Sequence, residues 1–417
     1  MIRWQITKLG DVIDTLKGAA FKSSLYAKAG IPIVRISNFT DDSIASDEIF
    51  YYAEVDAVNY SKYQLNHWDI LIQTVGSWQH NPASIVGKVV KVPKELDNSL
   101  LNQNIVKLIP SLQIENKFLY YRLKDESFKA YIISCAQGAA NQASITLESI
   151  KKFNFHLPSF PTQKRIAAIL SAYDDLIENN LKRIKLLEEI AQRTYEEWFL
   201  KFRVNGVQLP IDENTELPVG WVEGIFSDII SFQSGFAFKT SKFKKEGFPV
   251  IKIKNIENNT VDTTNTDFID GEYAELTKKA KLDEGDLLIA MTGATVGKVG
   301  FLPFSNIPCY LNQRVGRFLN KGETKNIYFI FATMTQGSGL QQVLNLAGGA
   351  AQPNISGDQI MSIKSIIPSE NILTNFSELA ESLFDQILIL RHQNQKLKQS
   401  RDILLPRLMS GTINLES

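Results

Sequence analysis

Short loops rich in amide, hydroxyl and basic side chains carry the chemistry of this sequence. They lie at residues 73–81, 100–104 and 137–144 in the first half of the chain, and at 239–245, 252–255, 291–298, 311–314 and 348–356 in the second half. Asn and Gln side chains bond bidentately to adenine, Arg and Lys bond to guanine, and Lys, Ser and Thr hold phosphates. The loops therefore predict contacts with a nucleic acid.

The candidate DNA-binding residues are side chains of these loops that could reach a base edge or a phosphate. They are Gln73, Ser77, Trp78, Gln79, His80, Asn81, Lys88, Asn102, Gln103, Asn141, Gln142, Lys239, Lys252, Lys254, Asn255, Thr292, Thr295, Lys298, Asn312, Gln313, Arg314, Gln352 and Asn354. Because Gly, Asn and Ser are also common in turns for conformational reasons, an ordinary turn is the alternative for each residue. Repetition of the loops in both halves favours a shared framework or a shared function without separating the two.

Residues for catalysis or metal binding do not occur at suitable spacings. Metal-ligand spacing is absent among the four histidines, which are His67, His80, His156 and His392. The segment GATVGKV at 293–299 is one residue short of a phosphate-binding loop, and Val299 stands where Ser or Thr should follow the lysine. No serine nucleophile motif occurs. The sequence predicts a non-catalytic chain with no metal and no cofactor of its own.

Length and composition indicate a protein of more than one domain. A chain of 417 residues predicts two or more domains. Its 45 basic and 45 acidic residues balance, so any basic surface must be local. With 44% apolar residues and no apolar run of about 18 residues, we expect a soluble globular protein without a membrane span. Cys135 and Cys309 are too few and too separate for a disulfide framework, which fits a reducing cytoplasm.

The two halves of the chain are copies of one another. Residues 4–38 align without a gap with residues 221–255, an offset of 217. Beyond Gly76 the offset falls to 210, so the first copy carries seven extra residues. Copies of about 210 residues are too long for solenoid repeats, and they predict two homologous domains related by a pseudo-two-fold axis.

Mixed α/β structure is predicted within each copy. Apolar runs at 31–37, 69–75, 248–254 and 286–292 are typical of strands, and residues 116–134 are typical of a helix. Residues 204–220 are polar with two prolines, which predicts a linker.

A long helix closes each copy. Residues 162–203 contain no Pro and no Gly, and their apolar positions alternate four and three apart, as in a coiled coil about 60 Å long. Asn180 is a polar break that would fix the register. Residues 371–410 repeat the seam with Asn394 in it; Arg401 interrupts this second seam, and Pro406 is expected to bend or end the helix. Two such helices are expected to pack on one another.

Several motifs together resemble the specificity subunits of type I DNA restriction–modification systems. They are GFAFKTSKF, FPVIKIKNI, GDLLIAMTGATVGKVG, LNQRVGRF, AAQPNIS, the helix that begins PTQKRIAAIL and the terminal RDILLPRLMSG. Each motif is loose alone, but their order and duplication are specific, and the resemblance covers the whole chain. The first copy departs from the pattern with GAANQAS in place of GAAQPNIS and with its insertion, which different targets for the two domains would explain.

The resemblance implies two target-recognition domains separated by two long antiparallel coiled-coil helices. The first domain would be 1–160, the central spacer helix 161–203, the second domain 204–369 including the linker, and the C-terminal helix and tail 370–417. Each domain would read one half of a bipartite, asymmetric site in double-stranded DNA, and the subunit would have no catalytic activity.

The resemblance also implies partner subunits. Methyltransferase subunits, two in number, would bind S-adenosylmethionine, and restriction subunits would use ATP and magnesium. Tyr195, Trp198 and Phe199 are candidates for docking these partners. Two other interpretations stay open: a fused DNA methyltransferase or nuclease, against which the missing cofactor loop argues, and a coiled-coil scaffold with two ligand-binding domains and no DNA.

Overall fold

A computed structural model describes residues 4–40, 42–46, 49–78, 85–139, 142–348 and 353–415. Contacts divide the chain into two units, of which the first comprises Met1–Leu176 with Leu397–Ser417 and the second comprises Ile177–Lys396. Each unit therefore contains a stretch of both long helices. None of the helices in the described ranges is long and apolar enough to cross a membrane.

Thirteen described strands and four short helices precede the central long helix. The strands are β1 Gln5–Lys8, β2 Ile13–Lys17, β3 Tyr26–Ala27, β4 Ile31–Val34, β5 Phe50–Tyr52, β6 Ile70–Gln73, β7 Val75–Gly76, β8 Val89–Lys91, β9 Leu100–Leu101, β10 Ile105–Pro110, β11 Gln137–Ala139, β12 Gln142–Ser144 and β13 Asn154–Leu157. The helices are α1 Glu54–Ala57, α2 Asn116–Lys124, α3 Glu126–Ser134, α4 Leu147–Lys151 and the long α5 Phe160–Tyr195.

Thirteen described strands and six α-helices follow the central helix. The strands are β14 Arg203–Val204, β15 Val207–Gln208, β16 Val222–Ile225, β17 Ile230–Ser234, β18 Phe248–Ile251, β19 Ile256–Glu257, β20 Thr260–Val261, β21 Asp267–Ile269, β22 Leu287–Ala290, β23 Val299–Phe301, β24 Tyr310–Leu311, β25 Val315–Asn320 and β26 Lys364–Ile367. The helices are α6 Phe226–Ile229, α7 Gly271–Leu276, α8 Ile327–Thr335, α9 Gly339–Ala347, α10 Gly357–Met361 and the long α11 Glu370–Met409.

The sheets repeat from one unit to the other, as the duplicated sequence predicts. The first unit has an antiparallel sheet in the order β2-β10-β6-β8, and the second unit contains the same order as β17-β25-β22-β23. In each unit a second sheet pairs two strands in parallel, β4 with β9 and β18 with β24. A third pairing joins β1 to β13 and β16 to β26. The fold class is mixed α/β with two homologous units.

The long helices pack antiparallel within the second unit. Its hydrophobic core holds Ile184 and Ala191 of α5 together with Leu390 and Ala380 of α11. Asn180 hydrogen bonds to Asn394 toward the start of this stretch of α5, and the Tyr195 ring meets Phe376 at its end. The residue numbers rise along one helix as they fall along the other, and the predicted seam positions are those that face inward.

Four local predictions differ from the structure. The predicted helix at 116–134 is broken at Asp125, whose backbone is extended and whose carboxylate accepts the Ser127 N–H at 3.0 Å as the cap of α3. Helix α5 widens into a π-turn at Glu196–Leu200 and ends there, because Phe202 takes a left-handed backbone with φ 55°. The predicted linker contains the hairpin β14–β15, and α11 runs three residues past Pro406.

Arg401, which we expected to interrupt the seam, sits in a buried ion cluster of the first unit. One Nη atom of Arg401 lies 2.7 Å from Asp174, and the other lies 3.0 Å from Asp42. Lys91 lies 3.4 Å from Asp174, and the Tyr121 hydroxyl donates to the same carboxylate at 2.7 Å. Burial alone would lower the pKa of Arg401, but the two carboxylates raise it above its ordinary value. The guanidinium therefore stays charged.

The equivalent positions of the second unit, at the offset of 210, are apolar. Phe301 replaces Lys91, Phe331 replaces Tyr121, Phe384 replaces Asp174 and Ala191 replaces Arg401. The three phenylalanine rings contact one another with centroids 4.8 to 5.0 Å apart. The same place in the repeat is thus held by charge in one unit and by aromatic packing in the other.

Candidate nucleic-acid interface

An asparagine–glutamine turn follows the parallel strand β9 in the first unit. The Asn102 N–H donates to the carbonyl of Val34 at 3.2 Å, and the Gln103 N–H donates to the carbonyl of Ala19 at 2.7 Å. Asn104 has φ 66°, a left-handed conformation that asparagine adopts more readily than most residues. The backbone fixes this turn and leaves the Gln103 side chain exposed.

The second unit builds the same turn after β24. The Asn312 N–H donates to the carbonyl of Ile251 at 3.1 Å, and the Gln313 N–H donates to the carbonyl of Phe236 at 2.9 Å. The Asn312 side chain is buried, and its Oδ1 accepts the Arg314 N–H at 3.3 Å. Gln313 and Arg314 are exposed. The two turns therefore share one framework and differ in their third side chain.

A glycine at the edge strand lets the chain pass close to each turn. A Cβ on Gly18 would lie 2.0 Å from the carbonyl oxygen of Asn102, and one on Gly235 would lie 2.1 Å from that of Asn312. Any larger residue would displace the turn, because the obstructing atoms are backbone. The buried side chains of Asn102 and Asn312 belong to this framework, and their burial argues against the base contacts predicted for them.

Asn255 is also a framework residue rather than a base-contacting one. Its Oδ1 accepts the Lys252 N–H at 3.0 Å, and its amide donates to the carbonyl of Asn265 at 2.9 Å. Asn38 accepts the Arg35 N–H at 3.0 Å in the equivalent place of the first unit. With 1% of its surface exposed, Asn255 caps a turn, and its burial argues against the base contact predicted for it.

Most of the predicted basic residues of the second unit face solvent. The exposed ones are Lys239, Lys254, Lys298 and Arg314. Lys252 is half-buried, and its Nζ lies 2.8 Å from the Asp267 carboxylate. The hydrogen bond from Lys252 lowers the pKa of Asp267, so this lysine's charge is offset locally.

Residues 73–78 of the first unit, which include the end of β6 and strand β7, are buried or half-buried. Gln73 is 0% exposed, and its amide donates to the carbonyl of Val75 at 2.8 Å. Ser77 is buried, whereas Trp78 and Lys88 are half-buried. Because Gln73 and Ser77 are buried, their side chains hold this segment in shape. Their burial argues against the DNA contacts predicted for them.

Two predicted loops meet in the second unit. The Gly293 N–H donates to the carbonyl of Pro353 at 2.9 Å, and Thr292 pairs with Asn354 through an isolated bridge. Among the described residues neither the Thr292 hydroxyl nor the Thr295 hydroxyl has a hydrogen-bond partner, and both oxygens are buried. Both threonine hydroxyls therefore lie inside the protein, while Lys298 points outward.

Five candidate residues lie outside the described residues. They are Gln79, His80, Asn81, Asn141 and Gln352. Gln142, which begins strand β12, is exposed.

Tyr195, Trp198 and Phe199 were predicted to dock partner subunits, but they lie in the core of the second unit. They are 4%, 7% and 5% exposed. The Phe199 ring lies 4.8 Å from Phe376 and 5.0 Å from Phe329, measured between centroids. Their burial against the chain's own rings leaves little surface for a partner.

A cleft beside the first turn contains residues that our sequence analysis missed. It has a volume of about 250 Å³ and is lined by Phe21, Tyr26 and Arg35 as well as by the turn itself. The repeat could have revealed these residues, because Phe238, Phe243 and Lys252 occupy the same positions 217 residues later.

No group of three or more His, Cys, Asp or Glu residues that could hold a metal ion occurs within the described ranges. Burial raises the pKa of the Cys309 thiol to about 11, so this cysteine is a poor nucleophile at neutral pH. The exposed polar groups of both units are amide and basic side chains on turns that backbone hydrogen bonds hold in place. Such groups suit recognition of the polar edges of nucleic-acid bases.

The profile of a protein family described as the Type I restriction modification DNA specificity domain matches residues 1–189 and 218–399. The chain belongs to this family. It is a specificity protein of the type I restriction–modification class, it recognises DNA sequence, and it is not itself an enzyme.

Individual relatives match most of the chain. The chain is 26% identical to the type I restriction enzyme MjaIX specificity subunit of Methanocaldococcus jannaschii, over 99% of this chain and 94% of the relative. It is 24% identical to the HindI specificity subunit of Haemophilus influenzae, over 78% of this chain and 84% of the relative. The crystal structure of the S subunit from M. genitalium shares the fold, with a TM-score of 0.61 and 17% identity over 98% of this chain and 96% of that one.

Proposed function

We propose that each of the two units reads one half of a bipartite, asymmetric target in double-stranded DNA. The observation that carries this proposal is the pair of turns built on the same backbone hydrogen bonds. Each presents an exposed glutamine, Gln103 or Gln313, followed by a side chain that differs, Asn104 or Arg314. A constant framework with a changed side chain suits two domains that read different bases.

The long helices act in this proposal as the spacer that sets the gap between the half-sites. They also offer the docking surface for two methyltransferase subunits. Because Tyr195, Trp198 and Phe199 are buried, we place docking on exposed apolar residues of α5. Leu186 and Ile190 lie one turn apart and are 58% and 48% exposed.

The partners supply the chemistry that this chain lacks. Methyltransferase subunits bring S-adenosylmethionine, and restriction subunits bring ATP and magnesium, so the assembled complex works on DNA in the cytoplasm. The chain's charge is balanced at 45 basic and 45 acidic residues, so it neutralises few phosphates alone. We therefore expect weak DNA binding by the isolated chain and tighter binding with its methyltransferase.

The test is to co-express the chain with its methyltransferase and to sequence the methylated motif. We expect two short specified halves separated by an unspecified gap. Gln103→Ala should change one half and Gln313→Ala the other, with DNA binding that weakens as salt rises. Methylation by the isolated chain would favour the enzyme interpretation, and no salt-dependent DNA shift with the partner present would favour the scaffold.

A further inference from the structure

The cleft of the first unit combines an aromatic wall with hydrogen-bonding groups. The Phe21 ring packs against Tyr52 and Tyr60 with centroids 5.2 and 4.7 Å apart, which holds the wall in place. The Gln103 side chain is exposed at the rim, and Arg35 lines the cleft beside it. Such a combination offers an apolar surface with directed donors, as recognition of a base edge requires.

Arg35 is held in position by its own surroundings. Its guanidinium carbon lies 4.6 Å from the centroid of the Phe50 ring, and Phe50 in turn contacts Tyr26 at 5.1 Å. The backbone N–H of Arg35 is fixed by the side chain of Asn38 at 3.0 Å. A guanidinium stacked on a ring presents its N–H donors at its edge, in a planar fork that matches the O6 and N7 acceptors of guanine.

The second unit keeps an aromatic residue at the positions of Phe21 and Tyr26 and has a lysine at the position of Arg35. Phe238 and Phe243 replace Phe21 and Tyr26, and Lys252 replaces Arg35. The Lys252 ammonium lies 3.9 Å from the Phe243 ring centroid and also pairs with Asp267.

In the second unit the arginine lies in the turn itself. At the third turn position the first unit has Asn104 and the second has the exposed Arg314. Each unit therefore has one arginine near the glutamine that both copies share, and this arginine follows a different strand in each unit: β4 in the first and β24 in the second.

From these positions we infer that the cleft of the first unit and the Gln313–Arg314 turn of the second unit are base-reading sites, in which Arg35 determines a G·C pair in one half of the target and Arg314 determines a G·C pair in the other half. This inference rests on the proposed function and goes further, because it names the residues that select the base. The exchanged position of the arginine means that the two guanines occupy different places relative to the glutamine.

The experiment uses the chain in complex with its methyltransferase and synthetic duplexes that carry the wild-type motif or one substituted base pair. Arg35→Ala should relax selection at a single G·C pair of one half, lowering discrimination there by about 5- to 150-fold. Arg314→Ala should do the same in the other half. Lys94→Ala, which removes an exposed charge of the first unit away from the cleft, should leave the motif unchanged.

The conservative variant covers a failure to fold. Arg35→Lys keeps the charge and the stem but loses the planar fork, so it should also relax the same base pair. An unchanged motif, a change in both halves, or a uniform loss of methylation on all duplexes would each overturn the inference. If the wild-type complex itself gives no bipartite motif, the proposed function fails. A bipartite motif that Arg35→Ala and Arg35→Lys leave intact rejects the assignment of Arg35.

Discussion

The side-chain amide of Asn180 donates a hydrogen bond to Asn394 at 2.9 Å, so the two polar residues of the helical seams face each other. The Asn394 amide in turn donates to the carbonyl of Ile177 at 3.4 Å. Asn180 is buried at 7% exposure among apolar seam residues. Such a pair favours one register of the two helices, because any shift would leave a buried amide without its partner.

Replacing one member of this pair should cost more than replacing both. Asn180→Leu leaves the Asn394 amide unsatisfied, and we expect a loss of about 1–3 kcal/mol in the free energy of unfolding. The double replacement of Asn180 and Asn394 by Leu should recover stability or exceed the wild type. Urea unfolding of the wild type, of Asn180→Leu, of Asn394→Leu and of the double variant measures this. A double variant less stable than the sum of the two single losses would contradict the pairing.

Breaking the buried ion cluster of the first unit should lower the free energy of unfolding more than replacing it with apolar residues does. Arg401→Leu removes the cation nearest to Asp174 and one of the three cations around Asp42, and we expect a loss of about 3–5 kcal/mol. The triple variant with Lys91→Phe, Asp174→Phe and Arg401→Ala copies the aromatic set of the second unit and should lose less than Arg401→Leu alone. Thermal unfolding compares them. A triple variant that is the less stable of the two would show that the aromatic set depends on the rest of its own unit.

The same cluster predicts a dependence of stability on pH. Burial alone would raise the pKa of Asp42, but Lys124, Arg401 and Lys398 hold it well below its usual value. A depressed folded pKa stabilises the fold at pH values above the unfolded pKa of about 4, and this contribution fades as the pH falls below that value. Asp42→Asn should therefore destabilise the protein at neutral pH and differ less from wild type near pH 3. Urea midpoints across this range provide the measurement, with the exposed Asp175→Asn as the control that should show no such trend.

Trp198→Ala should lower the stability of the chain and leave its affinity for the methyltransferase nearly unchanged. The ring packs against Phe376 with centroids 6.0 Å apart and is 7% exposed, so its removal opens a cavity in the second unit. We expect a loss of about 3–5 kcal/mol in unfolding free energy. Methyltransferase binding by the folded fraction should stay near the wild-type affinity, as measured by titration below the melting temperature. A stable variant that no longer binds methyltransferase would restore the original docking prediction.

If the helices are the spacer, their length should set the gap between half-sites. Four residues inserted after Glu189 add roughly 6 Å and about one turn, which nearly preserves the seam. Six ångström corresponds to about two base pairs, and bending of the DNA absorbs part of it, so the gap should grow by one or two base pairs. Sequencing the methylated motif gives the answer, and a two-residue insertion, which rotates the seam by about 200°, should disrupt packing instead. New bases in a half-site with the old gap would refute the spacer.

The repeated framework followed from the sequence because periodicity and alignment report backbone elements. The strands β4, β6, β18 and β22 fall inside the runs that predicted them. The roles of single polar residues did not follow. In the sequence, an asparagine that caps a turn looks the same as one that contacts a base. For Asn255 the difference is a hydrogen bond to the carbonyl of Asn265, which exists only in the folded chain.

Contacts between residues far apart in the sequence could not be predicted either. Arg401 interrupts a heptad pattern, and the sequence offers no sign that Asp42, 359 positions away, will neutralise it. Trp198 likewise looks the same on a surface helix and in a core, and the distant ring that packs against it, Phe376, comes from α11.

The contrast between the ionic and the aromatic cluster bears on how genes of this kind can exchange segments. Asp42 and Lys91 lie in the globular part of the first unit that precedes α5, which we call the first globule. Asp174 lies in α5, and Arg401 lies near the end of α11. A recombination event that replaced only the first globule with a homologous one would keep Arg401 and Asp174 but could remove Asp42 and Lys91. Inheritance of a new target half then requires either that the incoming globule brings these two charges or that the helix ends travel with it.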